Sequence, residues 1–464
     1  MAILIANEKC VDGQNMKTWK LWGRHLKFSN VFSGGDFYEI DLASNQWRAR
    51  PPIEDLDNGS YAISLMVDDM FAGSFNFSVF ILFDAFHGLD HVGVNWMLGQ
   101  QTVSLEIVFV SKKEIQKTMD YESLLSQNGI LSHNLKQCDK NQDFNRNKWT
   151  GKWLRTWINN SCEADAQGRF KDCVSTEHAN DHCTHEFCSG RVSRLESNGW
   201  VYSAHCAPKI FEAEEAWNCL DGKWLLFWGD SNFQDTIRNL MFFILEIPVP
   251  EYITLAQWQL PRSFEQYMVN PLRLDQAVHI SSIFNGHHDV SGANEGLDSL
   301  KDPKYREWIQ QHFQIQSKSS PDIIFMNSGL HDGFRFRSPS DYVQAVDMSL
   351  DFWETIWNSN SKTPTIVYRT TVAPAGLSRG MISNPHKMEV FNKIMVERLT
   401  TRVPNVQVVD AYDLTFPWHY DNNYSDGGHY GRAPGTEEFW HGKPHHYFVD
   451  VMLAHLLLNA ICPP

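Results

Sequence analysis

The sequence predicts an α/β domain of three layers, a sheet held between two layers of helices, preceded by an all-β sandwich. Three observations predict this. Short period-two segments separated by Gly, Asn and Asp turns fill the first part of the chain. From Gly222 onward, short apolar runs alternate with stretches of helical spacing. Between the two lies an irregular polar stretch in which cysteines crowd together. The expected boundaries are 1–111, 112–218 and 219–464, and a chain of 464 residues has room for that many units at roughly 100–200 residues per domain.

The sandwich is read from four segments. Asp36–Leu42 (DFYEIDL) alternates apolar and polar residues. The turn Asp57-Asn58-Gly59-Ser60 precedes YAISLMV from Tyr61, and Ala72-Gly73-Ser74 precedes FNFSVFILF from Phe75. QTVSLEIVFV runs from Gln101 to Val110. Side chains alternate faces along a strand, so period two buries one face, and several such strands between turns indicate a sandwich. The pairing of D-N-G-S-Y with G-S-F-N-F resembles the filamin-type immunoglobulin repeat.

Seven of the nine cysteines fall between Cys138 and Cys219, six of them in the middle stretch and the seventh at the start of the next. Trp153, Trp157 and these cysteines do not suit a disordered tether, so a connector packed on the following domain is expected. Crowded cysteines in a loop-rich stretch point to disulfides. A zinc site wants paired C-x2-C ligands, and the closest pair here is Cys183 with Cys188, so no metal is expected. Scattered free thiols are the third reading. Connectivity is not deducible, and the odd count leaves one thiol over. His287-His288 and His445-His446 lack a metal-spaced companion and read as structural or solvent-facing.

In the last part, Lys223–Trp228 (KWLLFW) is a buried strand ending in Gly229-Asp230-Ser231. Asn232–Ile244 has helical spacing, with Ile237, Leu240 and Met241 on one face. DIIFM (322–326), TIVY (365–368) and VQVV (406–409) read as further strands, separated by helices at Asp341–Trp357 and Lys387–Leu399. A closing helix spans Tyr447–Asn459, with Val449, Met452 and Leu456 as candidate core. Strands alternating with helices imply a parallel sheet covered on both faces.

Composition excludes some partners. The net charge of −15 argues against nucleic acid, whose affinity comes from Lys and Arg. No run reaches the ~18 apolar residues of a membrane span. The opening MAILIANEKC is short and lacks a basic flank, so neither signal nor anchor is visible. Sequons at Asn58, Asn76, Asn159 and Asn423 give weak support for secretion.

Two motifs carry chemistry. A serine on a strand-to-helix turn sits at the carboxyl edge of a parallel sheet, where such folds place their sites, and the helix N-terminus beside it favours an oxyanion. Ser231 in Gly229-Asp230-Ser231 is so placed, although serine is also a favoured helix cap. The second motif is Asp426-Gly427-Gly428-His429 ahead of the last helix. A serine hydroxyl needs a base to remove its proton, and a carboxylate behind an imidazole fixes its tautomer. D-G-G is also ordinary turn chemistry. Together, a post-strand GDS and a late DxxH are a more specific signal than either alone.

Four segments add a resemblance. Gly199-Trp200-Val201-Tyr202 leads through Cys206-Ala207-Pro208 and Cys219 to Gly222-Lys223-Trp224 and the GDS strand. Asn327-Ser328-Gly329-Leu330-His331 follows DIIF, Tyr368-Arg369-Thr370-Thr371 follows the next strand, and the DxxH comes last. From about Trp200 to the end, the chain resembles the PC-esterase branch of the SGNH/GDSL superfamily. That branch includes the trichome-birefringence-like polysaccharide O-acetyltransferases and the NXPE proteins; an immunoglobulin-like domain in front resembles NXPE more. The resemblance implies Ser231 as nucleophile, His429 as base and Asp426 as its orienting acid. It implies an oxyanion hole from the Ser231 and Gly286 N–H groups and an Asn side chain. Asn327 is the preferred candidate for that Asn through N-x-G-H; the G-x-N-D alignment would put His331 there instead. Gly427 and Tyr430 stand where the plant pattern has Cys and Trp, which puts a local disulfide in doubt. His331 and Arg369 are candidate substrate contacts, the latter equally readable as a structural ion pair.

The implied function is a glycan or polysaccharide O-acetyltransferase working through an acetyl-serine. No bound cofactor is expected. Acetyl-CoA is the donor considered, although no G-x4-G-K loop is present. The rivals are a carbohydrate esterase with the same residues and a non-catalytic glycan- or protein-binding ectodomain. The expected location is the secretory lumen, the Golgi, or the extracellular space.

Overall fold

The computed structural model describes residues 4–11, 14–22, 35–44, 47–57, 59–67, 73–84, 86–89, 100–109, 137–138, 151–155, 195, 200–203, 206–248, 262–286, 294–315, 320–358, 363–374, 382–419, 427–430 and 448–463. Two antiparallel sheets form the first part. One contains β1 (Leu4–Val11), β2 (Gln14–Trp22), β5 (Ile53–Asp55) and β6 (Ser60–Val67), in the order β1-β2-β6-β5. The other contains β3 (Phe37–Ala43), β4 (Trp47–Ala49), β7 (Gly73–Phe83), β8 (Gln100–Phe109), β9 (Lys152–Arg155) and β10 (Trp200–Ser203), in the order β10-β9-β4-β3-β7-β8.

Period two works here as the sequence suggests. Phe75, Phe77, Val79 and Ile81 of β7 point inward with Tyr38, Ile40 and Leu42 of β3 and with Tyr61 and Ile63 of β6, so both sheets close on one apolar core. Asn76, one of the sequon residues, lies on the exposed face of β7.

The connector departs from expectation. Its described strands continue the second sandwich sheet: β9 pairs with β4, Trp47 opposite Leu154, and β10 pairs with β9. Trp153, Trp200 and Tyr202 on those strands meet Trp418 and Phe448 of the α/β part in one core. These two strands therefore link the first part to the α/β part. Among the described residues two disulfides form, Cys138–Cys206 and Cys219–Cys462. The second ties the start of the α/β part to the end of the chain.

The α/β part has the sheet order β12-β13-β11-β14-β15-β16, from β11 (Trp224–Gly229), β12 (Phe264–Asn270), β13 (Arg273–Phe284), β14 (Ile323–Met326), β15 (Thr365–Arg369) and β16 (Gln407–Val409). All neighbours are parallel except the edge strand β12. Among the described residues the α-helices of this part are α1 (Ala213–Leu220), α2 (Ser231–Asn239), α3 (Pro303–Ile315), α4 (Leu330–Arg335), α5 (Pro339–Asn358), α6 (Pro385–Arg402), α7 (Ala411–Thr415) and α8 (Phe448–Ile461). Two apolar clusters cover the sheet. One contains Phe233 and Ile237 of α2 with nearly all of α8; the other contains Tyr342, Val346 and Trp353 of α5 with Met388 and Phe391 of α6. These are the two outer layers of a three-layer domain. The strand β11 is buried along its whole length, which is why its sequence is apolar throughout rather than alternating.

Candidate active site

Numbering only the parallel strands in chain order, the sheet reads 2-1-3-4-5. In such a sheet the switch point lies between the first and third strands, here β11 and β14, and the crevice opens beyond their carboxyl ends. Ser231 follows β11 after one residue and is the first residue of α2. The turn between them is tight. A Cβ on Gly229 would come within 2.3 Å of the Phe233 ring, so glycine is what lets α2 fold back onto the strand. Asp230 is the helix cap: its side chain accepts from the Asn232 N–H at 3.0 Å. The cap role weighed for the serine thus falls to its neighbour, and the serine hydroxyl is left for other use.

That hydroxyl meets His429. Ser231 Oγ and His429 Nε2 are 2.6 Å apart, although 198 residues separate them in sequence, and both residues are half-buried. The loop carrying His429 is fixed from behind. Tyr430 is buried and donates its hydroxyl to the Ala373 carbonyl at 2.7 Å, just past the end of β15. Gly427 has φ 100°, a conformation that favours glycine. Asp426 lies outside the described residues.

The other strand ends are stitched around this point. Asn285 donates its backbone N–H to Gly229 O at 2.9 Å, and Asn327 donates its own to Trp228 O at 3.0 Å. The Asn285 amide donates to Asn327 O at 3.0 Å. Gly286, buried at the end of β13, and Ser231 have backbone N–H groups for which no described residue is an acceptor. The N–H groups of a helix's first turn lack intrahelical partners, so the Ser231 N–H is open to an anion.

Two sequence-derived candidates are placed differently from expectation. The Asn327 amide nitrogen donates to Arg369 O at 3.0 Å, with Thr371 Oγ1 a second partner at 3.5 Å. This bond ties β14 to β15. Arg369 is wholly buried rather than open to a substrate. Its guanidinium stacks 4.1 Å from the centre of the Phe233 ring and donates to Thr236 Oγ1 at 2.7 Å. It holds α2 against the sheet from inside, which a solvent-borne substrate cannot reach. Burial lowers its pKa, opposed by the nearby Asp230 and Asp450 carboxylates.

His331, in the first turn of α4, lies beside the pair. Its ring is 5.6 Å from the ring of Phe284 at the end of β13. Its pKa is lowered mainly by burial; Asp230 acts the other way, while His429 and Arg262 add to the lowering. The ring is therefore neutral near pH 7. The adjoining Asp332 is buried, accepts from the Leu297 N–H at 2.7 Å, and is pushed up to about 7, chiefly by burial.

One feature escaped sequence reading. Under α2 lies a buried polar cluster: Arg238 pairs with Asp235 at 3.2 Å, and Asn239 donates to Asp450 of α8 at 2.5 Å. Burial, then the nearby Asp235 carboxylate, pushes Asp450 up to about 6. The signal was present as charges at i and i+3 on a helix whose whole surface is buried. Among the described residues, no group of three or more His, Cys, Asp or Glu is placed to hold a metal ion.

No family model matches the sequence, and no curated protein matches it. Two solved structures can be superposed on part of it. A member of the lipolytic G-D-S-L family from Veillonella parvula is 11% identical and covers 50% of this chain and 96% of its own, with a TM-score of 0.27. A salicylyl-acyltransferase from a tetracycline biosynthetic pathway is 13% identical and covers 52% of this chain and 56% of its own, with a TM-score of 0.26. Likenesses this faint carry no argument, so function rests on the geometry above.

Proposed function

We propose that this protein is a serine-dependent acyl-group enzyme. The observation that carries the reading is the 2.6 Å contact between Ser231 Oγ and His429 Nε2 at the switch point of the sheet. His429 Nε2 takes the hydroxyl proton as Ser231 Oγ bonds to the acyl carbonyl carbon. The carbonyl oxygen becomes an oxyanion facing the Ser231 and Gly286 N–H groups. When the carbonyl re-forms, the donor's leaving group departs with the proton from His429, and an acyl-serine remains. An acceptor hydroxyl then gives its proton to His429, bonds to the acyl carbon, and releases Ser231, whose oxygen recovers the proton. Asp426, three residues before the base, is the carboxylate proposed to orient it.

The finer reading rests on the resemblance of the motifs to the PC-esterase branch of the SGNH/GDSL superfamily. It makes the acyl group acetyl, the acceptor a glycan or polysaccharide hydroxyl, and the front sandwich an immunoglobulin-like domain. The donor is acetyl-CoA or another acetyl ester. The disulfides support a location in the secretory lumen, such as the Golgi, or outside the cell, because such bonds persist in oxidising compartments. Among the described residues no helix is long and apolar enough to cross a membrane.

The test is incubation with an acetyl donor and an acceptor glycan, following acetylated glycan and free acetate separately. Acetylated product made by wild type and not by Ser231→Ala supports transfer. Acetate alone makes the protein an esterase. Neither, from folded protein, removes the enzymatic reading in favour of a binding ectodomain.

A further inference from the structure

The β12 edge of the α/β sheet carries a stack of rings that the proposed chemistry does not use. β12, β13 and β11 lie side by side, and their register sets Tyr267 opposite His279 and His279 opposite Trp224. The three side chains therefore stand on one face of the sheet. The His279 ring stacks on Tyr267 with 4.2 Å between centroids and 9° between planes, and on Trp224 with 4.8 Å and 21°. Trp224 and His279 are buried, and Phe313 of α3 packs against Trp224. Tyr267 ends the stack and is 67% exposed. The imidazole covers one face of its ring, so the area open to solvent is the opposite face and the rim.

The stack is fixed from the sides. The Trp224 indole donates to Ser281 Oγ at 2.7 Å, and His279 Nε2 lies 2.9 Å from a Glu265 carboxylate oxygen. Glu265 and Val269 stand on the same face of β12 as Tyr267, one before it and one after, and Val269 is 46% exposed. The outer surface is thus a flat π face between a carboxylate and a short apolar side chain. A pyranose ring is its chemical match. The C–H groups on one face of the sugar meet the negative face of the aromatic ring, and hydroxyls at its rim donate to the carboxylate. Position adds chain length. Phe284 lies five residues beyond His279 on β13, a rise of ~17 Å, and stands opposite Gly229, two residues before Ser231. A single sugar does not bridge that distance; an oligosaccharide does.

We propose that the Tyr267–His279–Trp224 stack is a glycan-binding platform remote from the crevice, taking the C–H face of a pyranose in an oligosaccharide acceptor whose other end reaches Ser231. The acceptor class rests on the proposed function, while the platform's own test needs no turnover. Tyr267 makes and breaks no bond; it holds one ring of the chain and so favours long acceptors over short ones.

The experiment is calorimetric titration, without acetyl donor, of monosaccharides and hexasaccharides from the β-1,4-linked glucose and N-acetylglucosamine series. Equatorial substituents in these sugars leave the ring faces to C–H groups. Wild type, Tyr267→Ala and Tyr267→Trp are compared, each confirmed folded by its thermal transition. The expected result is that wild type binds a hexasaccharide of at least one series more tightly than its monosaccharide. Tyr267→Ala should weaken that binding roughly tenfold, and Tyr267→Trp, which keeps a π face, should retain it. Equal affinities in wild type and Tyr267→Ala overturn the inference, as does folded wild type that binds no hexasaccharide. Self-association of wild type in place of saccharide binding, abolished in Tyr267→Ala, assigns the ring to a contact between copies and also overturns it. Weakened binding in both variants with a lowered thermal transition in both assigns Tyr267 to structure, with the same consequence. Protein that binds the hexasaccharide through Tyr267 yet never acylates Ser231 keeps this inference and loses the proposed function.

Discussion

Two regions of this molecule bury ionisable groups, and they treat them in opposite ways. Where the sandwich meets the α/β part, ionisable side chains are each held by more than one hydrogen bond. Arg50 beside β4 makes two bonds of 2.8 and 2.7 Å to Glu389 of α6, and Asp413 of α7 accepts from the Tyr202 hydroxyl and the Gly151 N–H, each at 2.7 Å. At the carboxyl edge of the sheet, polar groups are left with something to spare. Ser231 and His429 are half-buried and reachable, and His331 keeps an unpartnered ring nitrogen. Unsatisfied polar groups cost stability, so folds tolerate them mainly where a ligand or reaction supplies the missing partner. The interface residues hold the two parts together, and the edge leaves the proposed nucleophile and base within reach of solvent.

That contrast can be broken by mutation. The largest effect is expected at the edge: Ser231→Ala or His429→Ala should lower acyl turnover by about 10⁴-fold or more with little change in thermal transition, read by steady-state kinetics beside calorimetry. Next comes the interface. Arg50→Ala leaves the half-exposed Glu389 unpaired and should cost about 2–3 kcal/mol in urea unfolding, while the folded protein still reacts at Ser231 at the wild-type rate. If turnover per folded molecule fell instead, the two regions would not be separable.

A third effect depends on pH. Burial, and the nearby Asp410 carboxylate, push Asp413 up to about 7. A carboxyl whose folded pKa is raised holds its proton in the folded state when the unfolded chain has lost it. Its stabilisation is therefore fully present below the ordinary carboxylate range, about pH 4, and is lost as pH rises to about 7. Urea midpoints measured from pH 4 to 8 should fall over that window. Asp413→Asn, which keeps an acceptor for Tyr202 and Gly151, should flatten the fall. Smallest is Tyr430→Phe, which removes the hydrogen bond behind His429: about 1 kcal/mol in stability and a several-fold drop in turnover.

Much of this was legible in the sequence. Period two in FNFSVFILF and the apolar run of KWLLFW gave their strands almost to the residue, because one strand has a single buried face and the other has two. The GDS and DxxH motifs flagged Ser231 and His429 without showing that they meet. Long-range pairing was less legible. The strands β9 and β10 are four residues each, too short for a period to show, and they join a sheet whose other members begin far earlier in the chain, at Phe37. The β12–β13 hairpin was missed because much of it is exposed and polar, as in RLDQ at the start of β13. The placement of Asn327 and Arg369 was not legible for a common reason: a motif names a residue but not the direction its side chain takes. Arg369 turns into the layer between α2 and the sheet, and Asn327 turns along the sheet edge.

The central claim is that the Ser231 hydroxyl, activated by His429, becomes covalently acylated. The direct test is intact-mass analysis of folded protein quenched during reaction with an activated acetyl ester, followed by peptide mapping. A single acetyl adduct is expected on Ser231, absent from Ser231→Ala and strongly reduced in His429→Ala. Folded wild type that acquires no adduct, or an adduct that persists unchanged in Ser231→Ala, would contradict it.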